Sequence, residues 1–278
     1  MPVLLVLVVV IGYPFVSALV LSTEKYNVVS GIPAKSVGLR NFDRLLTQDD
    51  VFWEAVRNTA IYTFGSVAAA ALLGMGLALL AENLSGRWRI VRMLLLTPWA
   101  VPVIVVAFLF RYMFLDRGGI VNAALGVVGI EPVGWLTTSQ WSLFTVVLTN
   151  VWTQIPFFFL VFSAALAAIP NEVIEAARVD RSRGWATVVH IKLPFLRSAF
   201  MIASLIMIVN NFNDFGKIWA MTEGGPAYAT TTLVVYVYRL AFGSFDLGYA
   251  SAIGVVWLVF LMLFAVLYVR ALQREDAI

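Results

Sequence analysis

The sequence contains no cysteine, which excludes disulfides, thiolate metal sites and thiol nucleophiles and leaves the redox compartment open. It contains one histidine, His190, with no H-E-x-x-H pattern around it. No G-x-x-x-x-G-K-[ST] occurs, so no P-loop is present to cradle nucleotide phosphates. Charge is scarce: Asp, Glu, Lys and Arg make up 13% of 278 residues, roughly half the share in an ordinary globular domain. The net charge is +3 without a dense basic patch, which argues against nucleic acid as a partner. Solenoid-period repeats, low-complexity tracts and the alternating pattern of a membrane barrel are also missing.

What the chain does have is apolar length. Hydrophobic residues account for 61% of it, more than a soluble fold can cover and what a bilayer can. A hydrocarbon core of ~30 Å takes about 20 mostly apolar residues to span. Six runs qualify, near 1–21, 58–81, 93–114, 142–169, 198–221 and 248–271. Their continuity predicts helices, hence an all-α membrane protein with six transmembrane helices forming a single domain over 1–278. The first run lacks a basic n-region, so it reads as a span and not as a cleaved signal, although Ser17-Ala18-Leu19 is a cleavage-like match. Pro98 and Pro102 interrupt the third run and predict a bend there.

Basic residues orient the spans. Arg87, Arg89 and Arg92 lie in loop 82–92, Arg178, Arg181, Arg183, Lys192 and Arg197 in loop 170–197, and Arg270 and Arg274 on the tail, all on one side. Loops 115–141 and 222–247 hold only Arg117 and Arg239. Loop 22–57 carries five bases, but long loops weigh less in the positive-inside rule. Both termini and loop 170–197 are therefore expected in the cytoplasm.

That loop reads as a short helix. Pro170 suits its first turn, and Glu172 and Glu175 fall near its positive end. Val173, Ala176, Ala177 and Asp180 follow i, i+3, i+4, i+7 spacing and form a small-sided, weakly apolar face. Such a face could seat in a partner's groove but could not bury itself as a core. Periodicity alone equally allows a helix resting on the lipid surface, held by Arg178, Arg181 and Arg183. Gly184 is expected to break the helix, and Pro194 to open the fifth span.

Polar residues inside spans usually face the bundle interior. On the fourth, Asn150, Thr153 and Gln154 sit at i, i+3, i+4, with Trp152 nearby; on the fifth, Asn210, Asn213, Asp214 and Lys217 sit at i, i+3, i+4, i+7, followed by Trp219. Each residue singly suits interhelical glue, worth on average about 0.6 kcal/mol per bond, with Asp214 paired to Lys217. As a group the two stripes favour the lining of a pathway.

The order Glu175-Ala176-Ala177, Asp180, then Ile191-Lys192-Leu193-Pro194 resembles the EAA loop of integral-membrane permease subunits of bacterial ABC importers. Where that pattern usually has Gly-Ala after the aspartate, this chain has Arg181-Ser182, and Gly184 stands three residues later; Ala199 lies near the place of a further proline. Thr222 to Pro226, Thr230 to Leu233, Tyr236, Tyr238, Ala241-Phe242 and Gly248 to Ala252 are similar to the maltose- and glycerol-phosphate-type branch that serves carbohydrates. Val37 to Phe42 and Phe52 to Thr59 look like that branch's first external loop. The resemblance implies the type I importer architecture in a bacterial cell membrane. It assigns Glu172, Glu175, Ala176, Ala177, Asp180 and Gly184 to coupling with an ATPase, and the loop 170–197 to that coupling as a whole. It also implies a second permease subunit, two cytoplasmic ATPase subunits that hold ATP and Mg, and an extracytoplasmic solute-binding protein, in contact with membrane lipid. No cofactor belongs to the chain itself. A sugar or polyol wants amides and carboxylates for its hydroxyls and an aromatic face for its C–H surface, which the two polar stripes offer.

Three other classes compete. An intramembrane enzyme would need a nucleophile with its base, or metal ligands, and His190 reads as a loop residue. A gradient-driven carrier or channel commonly places carboxylates mid-helix, whereas these spans hold almost none and Asp214 lies toward one end. A structural anchor explains neither polar stripe.

Overall fold

The computed structural model describes residue 6 and residues 8–82, 89–179 and 184–275. It is helical nearly throughout. In chain order the elements are α1 (Val8–Ser22), a two-stranded antiparallel hairpin of β1 (Glu24–Lys25) and β2 (Lys35–Ser36), α2 (Arg40–Thr47) and α3 (Asp50–Ala81). Next come α4 (Arg89–Ala100), α5 (Val103–Met113), α6 (Ile120–Val127), α7 (Ser139–Ala167) and α8 (Asn171–Val179). The chain closes with α9 (Trp185–Phe212), α10 (Gly216–Thr222), α11 (Leu233–Gly243) and α12 (Leu247–Glu275).

Four of these, α3, α7, α9 and α12, are long and apolar enough to cross a bilayer, and the α4–α5 pair, bent by 101°, brings the number to five if it is one broken span. The bend falls where Pro98 and Pro102 placed it: Pro102 is extended (ψ 136°) and starts α5. Among the described residues α1 is shorter than a full span. The second span starts earlier than its apolar run, at Asp50, because Asp49 caps it: Asp49 Oδ1 accepts from Phe52 N at 2.9 Å.

The fifth span departs most from expectation. It was placed at 198–221 with Pro194 as its opening, yet α9 begins at Trp185 and Pro194 lies inside it. A π-helical segment, Val188–Lys192, immediately precedes Leu193-Pro194. Its wider turn makes room for a proline ring that would otherwise meet the carbonyl four residues back. His190, expected in a loop, lies in this segment, with Nδ1 3.0 Å from the Ala186 carbonyl.

The core runs along α3 and α7, the most extensively packed pair, with α9 against α7 and α1 against α12. Phe158, Phe162, Leu196 and Phe212 are buried in its main cluster. Gly74 permits the α3–α7 approach, since a Cβ there would stand 2.6 Å from Phe158 Cβ and 2.9 Å from Phe159 N.

Candidate functional site

A cavity of about 290 Å³ opens between the α4–α5 bend, α7 and the end of α9. Trp99 and Val101 line it from the bend, Thr153 and Gln154 from α7, and Asn210, Asp214 and Lys217 from the region where α9 ends. Five of the seven residues expected along a pathway therefore meet at one cavity.

They do not meet as a single helical stripe, however. α9 stops at Phe212, and Lys217 belongs to the separate helix α10. The cause is local: in Asn210-Asn211-Phe212-Asn213-Asp214, short polar side chains compete for backbone groups. Asn213 Nδ2 donates back to Val209 O at 2.9 Å, and the Asp214 N–H turns to Asn211 O at 3.2 Å. Asn213 is exposed and does not line the cavity. The turn brings Asp214 over Lys217, and Asp214 Oδ2 accepts from Lys217 Nζ at 2.7 Å and from Tyr62 OH at 2.5 Å. Both charged side chains are nearly buried, at 12% and 10% exposure. Tyr62 was not legible in the sequence, where nothing distinguishes it from the other tyrosines of the chain.

Asn150 is fully buried and stands behind the cavity wall. Its Nδ2 donates to Asn211 Oδ1 at 3.2 Å, and Gln154 Nε2 donates to the same oxygen at 2.7 Å. Asn211 Nδ2 in turn reaches Thr63 O at 3.4 Å, joining α3, α7 and α9. Sequence reasoning passed over Asn211. The signal was available, because two amides one turn apart on α7 call for an amide on the facing helix.

At the opposite end of these helices, the α8 segment differs from its expected packing. Ala177 is buried, and Val173 and Ile174 pack against the main core cluster. The Val173–Ala177 face thus closes onto the chain's own helices, and Ala177 is not available to a partner. Small side chains suffice for burial because α8 lies directly on a core that α3, α7 and α9 already build. Glu172, Glu175 and Ala176 point outward with Val179 (82% exposed) on the same helix, and Trp185 at the start of α9 is also exposed (76%). Exposed apolar groups beside carboxylates are what an interaction surface presents. Gly184 has φ 59° and caps the start of α9. Asp180, along with Arg181 to Arg183, lies outside the described residues. Lys192 on α9 pairs with Glu82 at the end of α3.

At the far end of α3, Thr222 to Thr232 fold into a tight knot. Gly224 has φ 86°, and a Cβ there would stand 2.6 Å from Thr231 Oγ1, so both conformation and space require glycine. Thr230 Oγ1 donates to Gly225 O and Thr231 Oγ1 to Gly224 O, and both threonines are fully buried. Asn58 Nδ2 bonds Tyr228 O at 3.0 Å and Thr231 O at 3.2 Å, and Leu233 N donates to Thr59 Oγ1 at 2.9 Å. The turn read from Gly224-Gly225-Pro226 is in fact anchored to α3.

Apolar helices long enough to span a membrane, with a polar cavity between them, define a helical membrane protein. Over residues 70–275 the sequence matches the family described as "Binding-protein-dependent transport system inner membrane component". It is 32% identical over 276 residues to the sulfoquinovosyl glycerol transport system permease protein SmoG of Agrobacterium fabrum, covering 99% of this chain and 89% of that one. It is 33% identical over 272 residues to the trehalose/maltose transport system permease protein MalF of Thermococcus litoralis, covering 97% and 90%. The fold is similar to a chain of a bacterial ABC transporter involved in import of the acidic polysaccharide alginate, with TM-score 0.83 at 21% identity, covering 99% of this chain and 93% of that chain. The chain belongs to the family of binding-protein-dependent transport system inner membrane components. It is a permease subunit of an importer, not an enzyme, and the carrier, channel and anchor readings give way to that membership.

Proposed function

We propose that the chain forms half of the transmembrane pathway for a sugar or related polyol, driven by ATP hydrolysis in partner subunits. The observation that carries this reading is likeness along nearly the whole chain to permeases named for trehalose/maltose and sulfoquinovosyl glycerol. The cavity supports it chemically. Asn210, Asp214 and Lys217 supply groups that bond hydroxyls, and Trp99, 60% exposed, offers a ring face to a C–H surface. At about 290 Å³ it lies at the bottom of the usual ligand range of roughly 300–1,000 Å³, as suits a half-site completed by a second permease subunit. Asn150 and Asn213 belong to this reading as supports of the lining and not as part of the wall.

The rest of the assembly follows from the same reading. The apolar face of α1 and the bent α4–α5 pair complete six spans in contact with lipid, as one domain with both termini in the cytoplasm. Of the two ATPase subunits, which hold ATP and Mg, one docks at this chain's loop 170–197 through Glu172, Glu175 and Ala176, with Asp180 and Gly184 shaping its end. A solute-binding protein delivers cargo from outside. Purification of the tagged chain in mild detergent with Mg-ATP, followed by identification of the attached chains, tests this. A second permease and an ATPase are expected, together with binding-protein-dependent uptake of a labelled oligosaccharide after reconstitution. A chain that purifies alone, or one whose vesicles take up amino acids in preference to sugars, overturns it.

A further inference from the structure

The proposed function leaves open whether the transported sugar carries charge, and the cavity wall bears on that. Among the described residues that line the cavity, only Asp214 and Lys217 are charged. The helices around it add little: α7 carries no charged residue, and α9 none after Arg197. Arg111 on α5 turns its Nη1 to Ala220 O at 3.0 Å and does not line the cavity.

The two charges cancel at contact. Lys217 Nζ stands 2.7 Å from Asp214 Oδ2, with the side chains 10% and 12% exposed. Partly buried charges are screened less than those at a free surface, so the pair holds together and shows the cavity a dipole without net charge. Tyr62 OH donates to the same oxygen, Oδ2, at 2.5 Å. Asp214 Oδ1 takes no bond from a described residue, and the ammonium keeps two further N–H donors. A hydroxyl can donate to that oxygen and accept from that nitrogen, so an uncharged sugar meets both partners without parting them. An acidic sugar meets the wall differently. Its anion must either displace Asp214 from Lys217 or lie beside a carboxylate without a counter-ion, and both placements are costly.

We infer that this wall selects uncharged sugars over acidic ones, and that Asp214 is the residue that sets the selection. The inference rests on the reading of the cavity as part of a sugar pathway and adds the charge class of the cargo to it. Without the Asp214 carboxylate, the Lys217 ammonium would be a nearly buried cation open to an anion from the cargo. The second permease subunit contributes its own half of the lining, but the sign of this half is fixed by Asp214 against Lys217.

Uptake by the reconstituted complex tests it, with one solute-binding protein used throughout so that only this wall changes. The probes are maltotriose and lactose, each beside its derivative with one C6 oxidised to a carboxylate. The readout is the acidic-to-neutral uptake ratio, which is internal to each preparation and so unaffected by partial loss of folded protein. Wild type should favour the neutral sugars. Asp214→Asn leaves one net positive charge on the wall and should raise the ratio by about 10-fold or more, the worth of one charged hydrogen bond. Lys217→Met leaves one net negative charge and should lower it, and the Asp214→Asn/Lys217→Met double variant should return it toward the wild-type value. A pair that only braces α9 against α10 would lower uptake of both sugars alike. An unmoved or falling ratio in Asp214→Asn, beside neutral-sugar uptake by the wild type, strikes this inference alone, as does a wild type that takes acidic and neutral sugars equally. Uptake of none of these sugars overturns the sugar reading and this inference with it.

Discussion

Asp214→Asn probes the cavity most directly, since one oxygen of Asp214 holds both Lys217 Nζ at 2.7 Å and Tyr62 OH at 2.5 Å. Asparagine keeps the shape and removes the charge, leaving the Lys217 ammonium, 10% exposed, without its counter-ion. Removing one partner of a fully buried pair costs about 3–5 kcal/mol. Because the pair borders a cavity that water can enter, the expected loss is toward the level of a charged hydrogen bond, roughly 2–3 kcal/mol. Lys217→Met should cost less, because Tyr62 still bonds the carboxylate. The double variant removes both charges and should recover part of the loss, with a coupling of at least about 1 kcal/mol in a double-mutant cycle. Denaturation in detergent measures the three variants, and uptake is measured on the same preparations. If the carboxylate touches cargo, uptake stays low in the double variant although stability recovers; losing a bond of about 1.5–3 kcal/mol slows or weakens that step roughly 10- to 150-fold. If the pair only braces α9 against α10, uptake recovers along with stability. Additivity within ~0.5 kcal/mol would refute the coupling between Asp214 and Lys217.

Three other outcomes are expected, the first from the packing of α3 on α7 and the other two from the proposed function. Gly74→Ala should destabilise by about 1–3 kcal/mol, seen as a lowered melting temperature, because its Cβ would stand 2.6 Å from Phe158 Cβ and 2.9 Å from Phe159 N; an unchanged melting temperature would mean that α3 and α7 are free to part. Glu175→Lys should abolish ATPase association and uptake with normal abundance in the membrane, whereas Ala177→Leu, on the buried face, should lower abundance itself; co-purification and immunoblotting separate the two. With no native cysteine, Val179→Cys should be labelled in intact cells only by permeant reagents and Ser139→Cys by impermeant ones, and the reverse pattern would invert the orientation.

Much of this protein was legible in its sequence because hydrophobic length is a one-dimensional property. The runs that became α3, α7 and α12 needed only a count of apolar residues against bilayer thickness, and Pro98 and Pro102 carry their bend in their own covalent geometry. The order Glu175-Ala176-Ala177 to Pro194 likewise pointed to the permease family without coordinates. Tertiary structure decided what linear periodicity cannot rank. Both faces of α8 are plausible contact surfaces in sequence; only the adjacent core, already built by distant segments, turned Val173 and Ala177 inward and left Glu172, Glu175 and Trp185 outside. The end of α9 depended on the Asn213 side chain competing for the Val209 carbonyl, and the turned Asp214 carboxylate is held by Tyr62, more than 150 residues earlier in the chain. Asn211 is the same case: Asn150, Gln154 and Asn211 are ordinary polar residues in their own helices, and only the packing of α7 against α9 makes them one hydrogen-bonded joint.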